Sequence, residues 1–321
     1  MGEFELIARH FTRAAPPGGA VVLGVGDDCA LLQPTPGHQL AVSSDMLVEG
    51  RHFFAGAEPE ALGHKALAVN LSDLAAMGAR PLGFTLALAL PAADEAWLAP
   101  FARGLFALAD AHACPLVGGD TTRGPLTISI TVFGELLPGH ALRRDAARAG
   151  DELWISGRTG EARLALALRR REPWARGELA TVQDRMDRPT PRLALGQALA
   201  ATAGVHAALD VSDGLLGDLG HILKASGVGA EIGMNALPVA PALSALDEGP
   251  RLDCLLAGGD DYELLFTADA SARKAVLSAG RRAGTAVARI GRLTRTPGIR
   301  LLDAAGRESP LAARGFDHFA N

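Results

Sequence analysis

Short apolar segments of strand character alternate with long helical segments in the first half of the chain, which restricts the possible folds. The segments "AVVLGVG" and "QLAVSSDML" are short, apolar and bounded by Gly or Pro, which predicts strands. Between residues 60 and 79, Leu67, Leu71 and Leu74 recur at helical spacing, which predicts a helix that Pro81 terminates. A strand ("LGFTLALALP"), a helix ("DEAWLAPFARGLFALADAHA") and a β-branched strand ("LTISITVFGEL") follow. This order of elements predicts an α/β sandwich.

The second half begins at a polar turn, "RAGDELWISG", which leads into a new strand, so we place the domain boundary at residue 148. A helix-rich region is expected from about 161 to 203, followed by a loop, "DVSDGLLGDLGHILKASG", that becomes a helix. Further strands are expected around "CLLAGGDDYELLFTA" and "VARIGRLT". The prediction is two domains, 1–148 and 149–321, the second of mixed α/β type.

Composition and charge exclude several classes of protein. With 48% hydrophobic and 21% charged residues, the chain of 321 residues is of globular type. The longest apolar stretch, Pro81–Ala93, contains two prolines and is too short to span a bilayer, and the first residues lack a signal peptide's pattern. We therefore expect a cytoplasmic protein without a membrane partner. A net charge of −5 with one basic run, "RRRE", argues against nucleic acid as a partner.

The cysteines and lysines exclude two familiar kinds of site. Cys29, Cys114 and Cys254 are far apart and match neither a CxxC metal pattern nor a disulfide framework, so we expect small buried residues. None of the lysines follows a glycine, so the Walker A phosphate loop is absent. A chain of this composition that handles phosphate must neutralise its charge in another way.

Aspartates occur at the ends of several apolar segments, in most cases after Gly or Ser. Glycine lets a ligand approach the backbone, and serine adds an oxygen donor. Magnesium takes oxygen ligands and is usually held by one or two carboxylates together with substrate phosphates. The pattern therefore predicts several Mg²⁺ ions around a triphosphate. The aspartates are Asp27, Asp28, Asp45, Asp73, Asp120, Asp210, Asp213, Asp260 and Asp261.

Other interpretations of these acids stay open. Asp27 and Asp28 are adjacent, and two carboxylates about 4 Å apart repel by roughly 4 kcal/mol at an effective dielectric near 20, which a cation or exposure on a turn must relieve. For any single cluster, turn and cap chemistry is an equal explanation. Asp73 is the exception, because it lies inside a predicted helix and shares one flank of the leucine stripe with Asn70. A calcium-binding module is disfavoured, because the acids are dispersed and form no D-x-D-x-D-G loop.

The motifs, taken in order, resemble the thiamine-monophosphate kinase family, within the superfamily of aminoimidazole ribonucleotide synthetase. They are "GDDCALL", "SSDMLVEGRHF", "KALAVNLSDLAAMGARP", "GGDTTRGP", "DVSDGLLGDLGHI", "GGDDYELLFT" and "GFDHF". The resemblance covers the whole chain. It implies an α/β (α+β) fold whose N-terminal domain, a ferredoxin-like-type α/β sandwich, binds ATP and Mg²⁺ and forms a homodimer. The C-terminal mixed α/β domain would complete the active site.

The resemblance also implies ATP-dependent conversion of thiamine monophosphate to thiamine diphosphate, the last step of its biosynthesis, with several Mg²⁺ ions. Roles carry over only to matching positions. The implied metal ligands are Asp28, Ser43, Ser44, Asp45, Asp73, Asp120, Asp210 and Asp213. The implied ATP contacts are Gly119, Asp120, Arg144 and Ser212, and the implied substrate contacts are His52, Asp260 and Phe319. The implied catalytic set is Asp28, Asp45, Asp73, Asp120, Asp210 and Arg144.

Two positions depart from the family pattern. Glu is more usual at Asp260, so the substrate contact here is one methylene shorter, and Thr is usual at Ser44, which keeps the oxygen. Among relatives that use ATP, the selenophosphate synthetases and the hydrogenase-maturation proteins need cysteine or lysine patterns that this sequence lacks. The purine-pathway cyclo-ligase is the alternative, although it lacks the "EGRHF" and "GFDHF" elements.

The chemistry agrees with these residues. Phosphoryl transfer needs mainly positioning and electrostatic stabilisation. The acceptor would itself be a phosphate, largely deprotonated at neutral pH, so no strong general base is required. We therefore expect direct in-line attack of the substrate phosphate on the γ-phosphorus of ATP, bridged by Mg²⁺, with Arg144 offsetting the developing charge. A solvated pair within "LRRD" is the competing interpretation of Arg144.

Overall fold

The computed structural model describes residues 3–13 and 18–309, and it divides into two compact units. The first unit contains the described residues up to Leu74 together with Ala79–Gly139. The second contains Ala75–Gly78 and the described residues from His140 onward. The predicted assignment of roles to 1–148 and 149–321 stays a prediction.

A four-stranded sheet with two long helices forms the body of the first unit. Its strand order is β3-β6-β4-β5, with β4 and β5 parallel and the other pairs antiparallel. This is the α/β sandwich expected from the alternating segments. The elements are α1 (Glu3–His10), β1 (Val21–Leu23), β2 (Leu31–Leu32), β3 (Gln39–Val48), α2 (Pro59–Met77), β4 (Arg80–Leu90), α3 (Glu95–Ala111), β5 (Leu116–Arg123) and β6 (Thr127–Leu136).

The helices α2 and α3 pack at very short range through glycine. A Cβ at Gly63 would lie 2.1 Å from the Phe101 carbonyl oxygen, and one at Gly104 would lie 1.8 Å from the Glu60 carbonyl oxygen. The predicted leucine stripe of α2, Leu67, Leu71 and Leu74, is fully buried. The two glycines therefore permit the close contact between the helices, whereas Leu74 of the stripe faces Gly134 of β6.

The second unit is built on a six-stranded mixed sheet of order β12-β9-β11-β7-β10-β8, in which only β12 and β9 pair in parallel. The expected strands "ELWIS" and "VARIGRLT" and the expected helical region after residue 160 are confirmed. The elements are β7 (Glu152–Ser156), α4 (Glu161–Arg169), α5 (Gln183–Asp187), α6 (Leu193–Ala200), β8 (Val205–Asp210), α7 (Leu215–Ser226), β9 (Gly229–Gly233), α8 (Pro241–Ser244), α9 (Glu248–Ala257), β10 (Leu264–Ala268), α10 (Arg273–Arg282), β11 (Val287–Thr294) and β12 (Gly298–Leu302).

Three local expectations are wrong in whole or in part. Cys29 is exposed, contrary to the expectation of buried cysteines, whereas Cys114 and Cys254 are buried. The strand expected around "CLLAGGDDYELLFTA" is confirmed for "LLFTA", but "CLLA" lies in α9, because a short buried apolar run has no distinguishing period. "VGGD" lies within β5, whereas its Asp120 was expected at the end of an apolar segment. At Gly119 a Cβ would come within 1.9 Å of the Leu86 carbonyl oxygen, so the glycine that suggests a turn here permits close pairing with β4. No helix of the described chain has the length and hydrophobicity needed to cross a membrane.

A buried carboxylate, Glu263, holds α5 and α6 to the sheet of the second unit. Its side chain is 0% exposed and accepts hydrogen bonds from Arg185 (2.8 Å), Arg192 (2.7 Å) and the Ser156 hydroxyl (2.6 Å). Burial alone would raise the pKa of Glu263, but Arg192 and Arg185 outweigh burial and hold the pKa below its usual range. Glu263 is therefore ionised in the folded protein at neutral pH.

We expect Glu263→Gln to lower the free energy of unfolding by about 3 kcal/mol at pH 7, because it leaves two largely buried guanidiniums without their carboxylate. Since the folded-state pKa is lowered, this stabilisation is present above the unfolded pKa of about 4.3 and is lost as the pH falls through the folded pKa. Urea unfolding of wild type and variant at a series of pH values measures both effects.

Glu60→Gln, which breaks the exposed pair with Arg103, is the control and should change the free energy of unfolding by less than about 1 kcal/mol. Equal losses in the two variants would contradict this account.

Candidate active site

In the first unit, two polar contacts join α2 to the middle of β3. The Ser43 hydroxyl donates to Asp73 Oδ2 at 2.5 Å, and the Asp45 backbone N–H donates to Asn70 Oδ1 at 3.0 Å. The expectation that Asn70 and Asp73 lie on one flank of α2 is therefore confirmed. The predicted strand "QLAVSSDML" is confirmed as β3, and Asp45 lies within it rather than after its apolar segment.

Ser44 lies on the opposite face of β3 from Ser43 and Asp45, because neighbouring side chains of a strand alternate. Its hydroxyl is 3.0 Å from Thr131 Oγ1 and 3.1 Å from the Ile130 carbonyl oxygen. The structure thus brings Ser43, Asp45 and Asp73 together and turns the Ser44 side chain away from them. The assignment of Ser44 as a metal ligand stays a prediction.

The adjacent acids Asp27 and Asp28 are exposed on a turn after β1, and Asp27 Oδ1 accepts the Asp28 backbone N–H at 2.8 Å. Exposure therefore relieves their repulsion, which was one of the two explanations left open. On β5, Gly119 and Asp120 are also exposed. Asp120 is paired with Ala87, on the exposed face of β4.

His52 lies in the turn that follows β3, where its Nδ1 accepts the Val48 backbone N–H at 3.0 Å. This bond places the proton of the neutral ring on Nε2. The ring is half-buried and is held by the end of the strand that carries Ser43 and Asp45.

Arg143, not Arg144, forms the solvated pair within "LRRD", since it contacts Asp145 at 2.6 Å. Arg144 is exposed, and its carbonyl oxygen accepts the Ser226 hydroxyl at 2.8 Å. Ser226 Oγ also accepts the Ala147 backbone N–H at 3.1 Å. The last residue of α7 thereby fixes the backbone of the segment that carries Arg144.

The segment between β8 and α7 contains Asp210, Ser212 and Asp213. Asp210 is buried at the end of β8, whereas Ser212 and Asp213 are half-buried. The backbone N–H groups of Ser212 and Asp213 both donate to Asp218 Oδ2 at 3.0 Å. Burial and the nearby Asp213 raise the pKa of Asp218 to about 7, although the backbone hydrogen bonds oppose the shift.

The segment before β10 has an unusual backbone. Asp260 and Tyr262 are non-glycine residues with φ of +67° and +51°, a region that such residues rarely adopt. The Tyr262 hydroxyl donates to Asp260 Oδ1 at 3.0 Å. Between them, the buried Asp261 accepts the Gly160 N–H with both oxygens at 2.9 Å, and burial raises its pKa well above the usual range.

Sequence reasoning did not identify Asp218 or Tyr262. Asp218 reads as an ordinary acid in the first turn of a helix, and Tyr262 as an apolar residue before a strand. The single tyrosine of the chain, beside an acid of the "GGDD" motif, was a signal that could have been used. Phe319 lies outside the described residues, so its predicted substrate contact stays a prediction.

The donors that the structure brings together suit magnesium. In residues 3–13 and 18–309, no three His, Cys, Asp or Glu side chains converge into a metal-binding group. Magnesium is usually held by one or two carboxylates and completes its shell with water and phosphate oxygens. The oxygen donors of Ser43, Asp45 and Asp73 fit this pattern.

Comparisons with known proteins agree with the fold and the motifs. Residues 26–136 match the N-terminal domain of AIR synthase related protein, and residues 148–303 match its C-terminal domain. The thiamine-monophosphate kinase of Salmonella typhimurium is 44% identical over 99% of this chain and 98% of its own length.

Solved structures give the same result. Thiamine-monophosphate kinase from Stenotrophomonas maltophilia superposes with a TM-score of 0.83 at 46% identity, covering 93% of this chain and 94% of that one. AaThiL complexed with AMPPCP and TMP has a TM-score of 0.75 at 29% identity, covering 98% and 96%. The chain therefore belongs to the thiamine-monophosphate kinase family of AIR synthase related proteins.

Proposed function

We propose that this chain is a phosphotransferase that moves the γ-phosphoryl group of ATP to thiamine monophosphate, giving thiamine diphosphate and ADP. The observation that carries the proposal is the 44% identity to a thiamine-monophosphate kinase along almost the whole length of both chains. AaThiL, which also aligns over the whole chain, has been solved with AMPPCP and TMP, a pair that corresponds to donor and acceptor. These relatives favour the kinase over the cyclo-ligase alternative.

Asp45, Asp73 and Ser43 would hold magnesium in the first unit. Asp28 and Asp120 are further ligands proposed there, as is Ser44, although its side chain lies on the opposite face of β3. Asp210 and Asp213 are the ligands proposed from the second unit, where Ser212 and Arg144 would contact ATP. Gly119 would allow the nucleotide to approach β5. Bound magnesium would neutralise triphosphate charge, which this chain cannot do with a Walker lysine.

An oxygen of the substrate phosphate attacks the γ-phosphorus, one P–O bond forms, and the bond to the ADP oxygen breaks. Because the acceptor oxygen is already largely deprotonated at neutral pH, the chain needs no general base. The residues therefore act by binding and orientation, and the exposed guanidinium of Arg144 offsets charge that develops on the transferred group.

Asp260 would bind the cationic thiazolium ring of thiamine monophosphate, with His52 and Phe319 as further contacts. The Tyr262 hydroxyl fixes one oxygen of Asp260, which limits its rotation. Asp260 is one methylene shorter than the Glu usual in the family, and we propose that its defined orientation compensates for the shorter reach toward the substrate.

The chain would act as a homodimer formed through the first unit. β3 is an edge strand of its sheet, and its outward side chains Leu40, Val42 and Met46 are 50%, 56% and 55% exposed. Such an apolar strand face is seldom left in water, and a second copy of the chain is the occupant that we propose.

The proposed reaction predicts that thiamine diphosphate and ADP form in equal amounts from thiamine monophosphate, ATP and Mg²⁺. Plain thiamine in place of the monophosphate should give no product, because it lacks the phosphate nucleophile. Chromatographic product analysis of both reactions measures this. ATP consumption without thiamine diphosphate would contradict the proposal.

Asp45→Asn should lower kcat/KM about a hundredfold, with the loss only partly restored by excess Mg²⁺, because a neutral amide is a poor ligand for magnesium. Steady-state kinetics at a series of Mg²⁺ concentrations measures the effect. Asp110→Asn, which removes an exposed acid that pairs with Arg13, is the matched control and should behave as wild type. Turnover of Asp45→Asn within a few-fold of wild type at saturating Mg²⁺ would refute the metal assignment.

Tyr262→Phe should raise KM for thiamine monophosphate about three- to tenfold and leave KM for ATP unchanged, because Asp260 loses one orienting hydrogen bond. Kinetics with each substrate varied in turn separates the two constants. An equal rise in both constants would indicate a general structural effect and would count against the role of Asp260 in substrate binding.

A further inference from the structure

Asp218, which belongs to none of the predicted sets, lies in the first turn of α7 and is only 4% exposed. We propose that Asp218 is a positioning residue for the segment Ser212–Asp213, which it holds in the conformation that binds ATP with Mg²⁺. This inference rests on the proposed function and assigns a further residue to the same site.

The hydrogen bonds of Asp218 have a geometry that restrains the backbone before α7. One oxygen, Asp218 Oδ2, accepts the N–H groups of two consecutive residues, Ser212 and Asp213, at 3.0 Å each. Two successive peptide groups that converge on one acceptor have little torsional freedom left. The backbone from which the Asp213 side chain projects is therefore fixed by Asp218.

The bonds of Asp218 differ from those of an ordinary helix cap. Gly214 is the N-cap of α7 and makes no side-chain capping bond. A capping side chain accepts N–H groups of the helix's own first turn. Asp218 instead reaches back to two N–H groups that precede the N-cap, so its bonds order the loop rather than the helix.

The Ser212–Asp213 loop is also restrained on its other side. The Ser212 carbonyl oxygen accepts the Asp260 N–H at 2.8 Å. A Cβ at Gly259 would lie 2.3 Å from the same oxygen, and one at Gly214, where φ is +107°, would lie 2.7 Å from the Ala257 carbonyl oxygen. The loop thus lies between Asp218 and the segment before β10, and loss of Asp218 would release one of the two sides.

The same helix is also linked to Arg144. Ser226, the last residue of α7, donates to the Arg144 carbonyl oxygen at 2.8 Å. Both proposed ATP contacts of the second unit, Ser212 and Arg144, are therefore attached to α7, one at each end. A rigid helix keeps them at a fixed separation.

The test compares three variants of the full chain by calorimetric titration with AMPPCP at a series of Mg²⁺ concentrations. Asp218→Ala should weaken nucleotide affinity about tenfold and raise the Mg²⁺ concentration needed for half-maximal binding, because both backbone bonds are lost. Asp218→Asn keeps an oxygen acceptor in place and should stay within about threefold of wild type. Ile222→Ala, which removes a fully buried side chain one turn further along α7, is the matched control. It should lower Tm but leave the affinity unchanged.

Three results would overturn the inference. The first is wild-type affinity in Asp218→Ala. The second is an equal loss of affinity in Ile222→Ala at a similar fall in Tm, which a merely structural Asp218 would give. The third is an affinity of Asp218→Asn as low as that of Asp218→Ala, which would contradict positioning by hydrogen bonds. Nucleotide binding is measured without the acceptor. Wild-type protein that binds AMPPCP with Mg²⁺ yet forms no thiamine diphosphate would therefore refute the proposed function and leave the role of Asp218 intact.

Discussion

The backbone hydrogen bonds between the segment after β8 and the segment before β10 are the constraint on which the proposed ligand-binding segments of the second unit depend. Val211 N–H donates to the Glu263 carbonyl oxygen at 2.8 Å, and Tyr262 N–H to the Val211 carbonyl oxygen at 2.9 Å. These two bonds extend the antiparallel pairing of β8 with β10 into the adjoining segments, which lack regular strand geometry. The proposed nucleotide segment and the proposed substrate segment are consequently one hydrogen-bonded structure, and neither can move without the other.

This arrangement explains how two strained residues persist. A non-glycine residue at positive φ costs of order 1–3 kcal/mol of conformational free energy. Asp260 and Tyr262 therefore both lower the stability of the folded state. The backbone bonds, the bidentate contact of Asp261 with Gly160 N–H and the buried ion pairs of Glu263 offset that cost. The strain leaves Asp260 half-buried, where the Tyr262 hydroxyl orients its side chain.

The sequence was sufficient where one pattern governed one element. Periodicity located α2 and the common flank of Asn70 and Asp73, since a helix fixes which residues are neighbours. Prediction from the sequence failed where the pairing of strands determined the local structure. Glycines suggested a turn at "VGGD", but close approach to Leu86 makes the segment a strand, and alternation along β3 turns Ser44 away from Ser43. Asp218 could not be found, because its bonds reach residues whose backbone conformation no pattern specifies.

The acids of this chain differ in the groups that contact their oxygens, and, apart from the buried Asp210, the acids proposed as ligands are the more accessible ones. Asp218, Asp261 and Glu263 are buried and accept backbone N–H groups or guanidinium groups, as a carboxylate must when it is removed from water. Asp28 and Asp120 are exposed, and Asp45, Asp73, Asp213 and Asp260 are half-buried, so a cation or ligand can approach them. The first group stiffens the loops that bear Asp213 and Asp260. A kinase without a Walker lysine needs both kinds, because carboxylates that hold ions around a triphosphate act only when their loops are held in place.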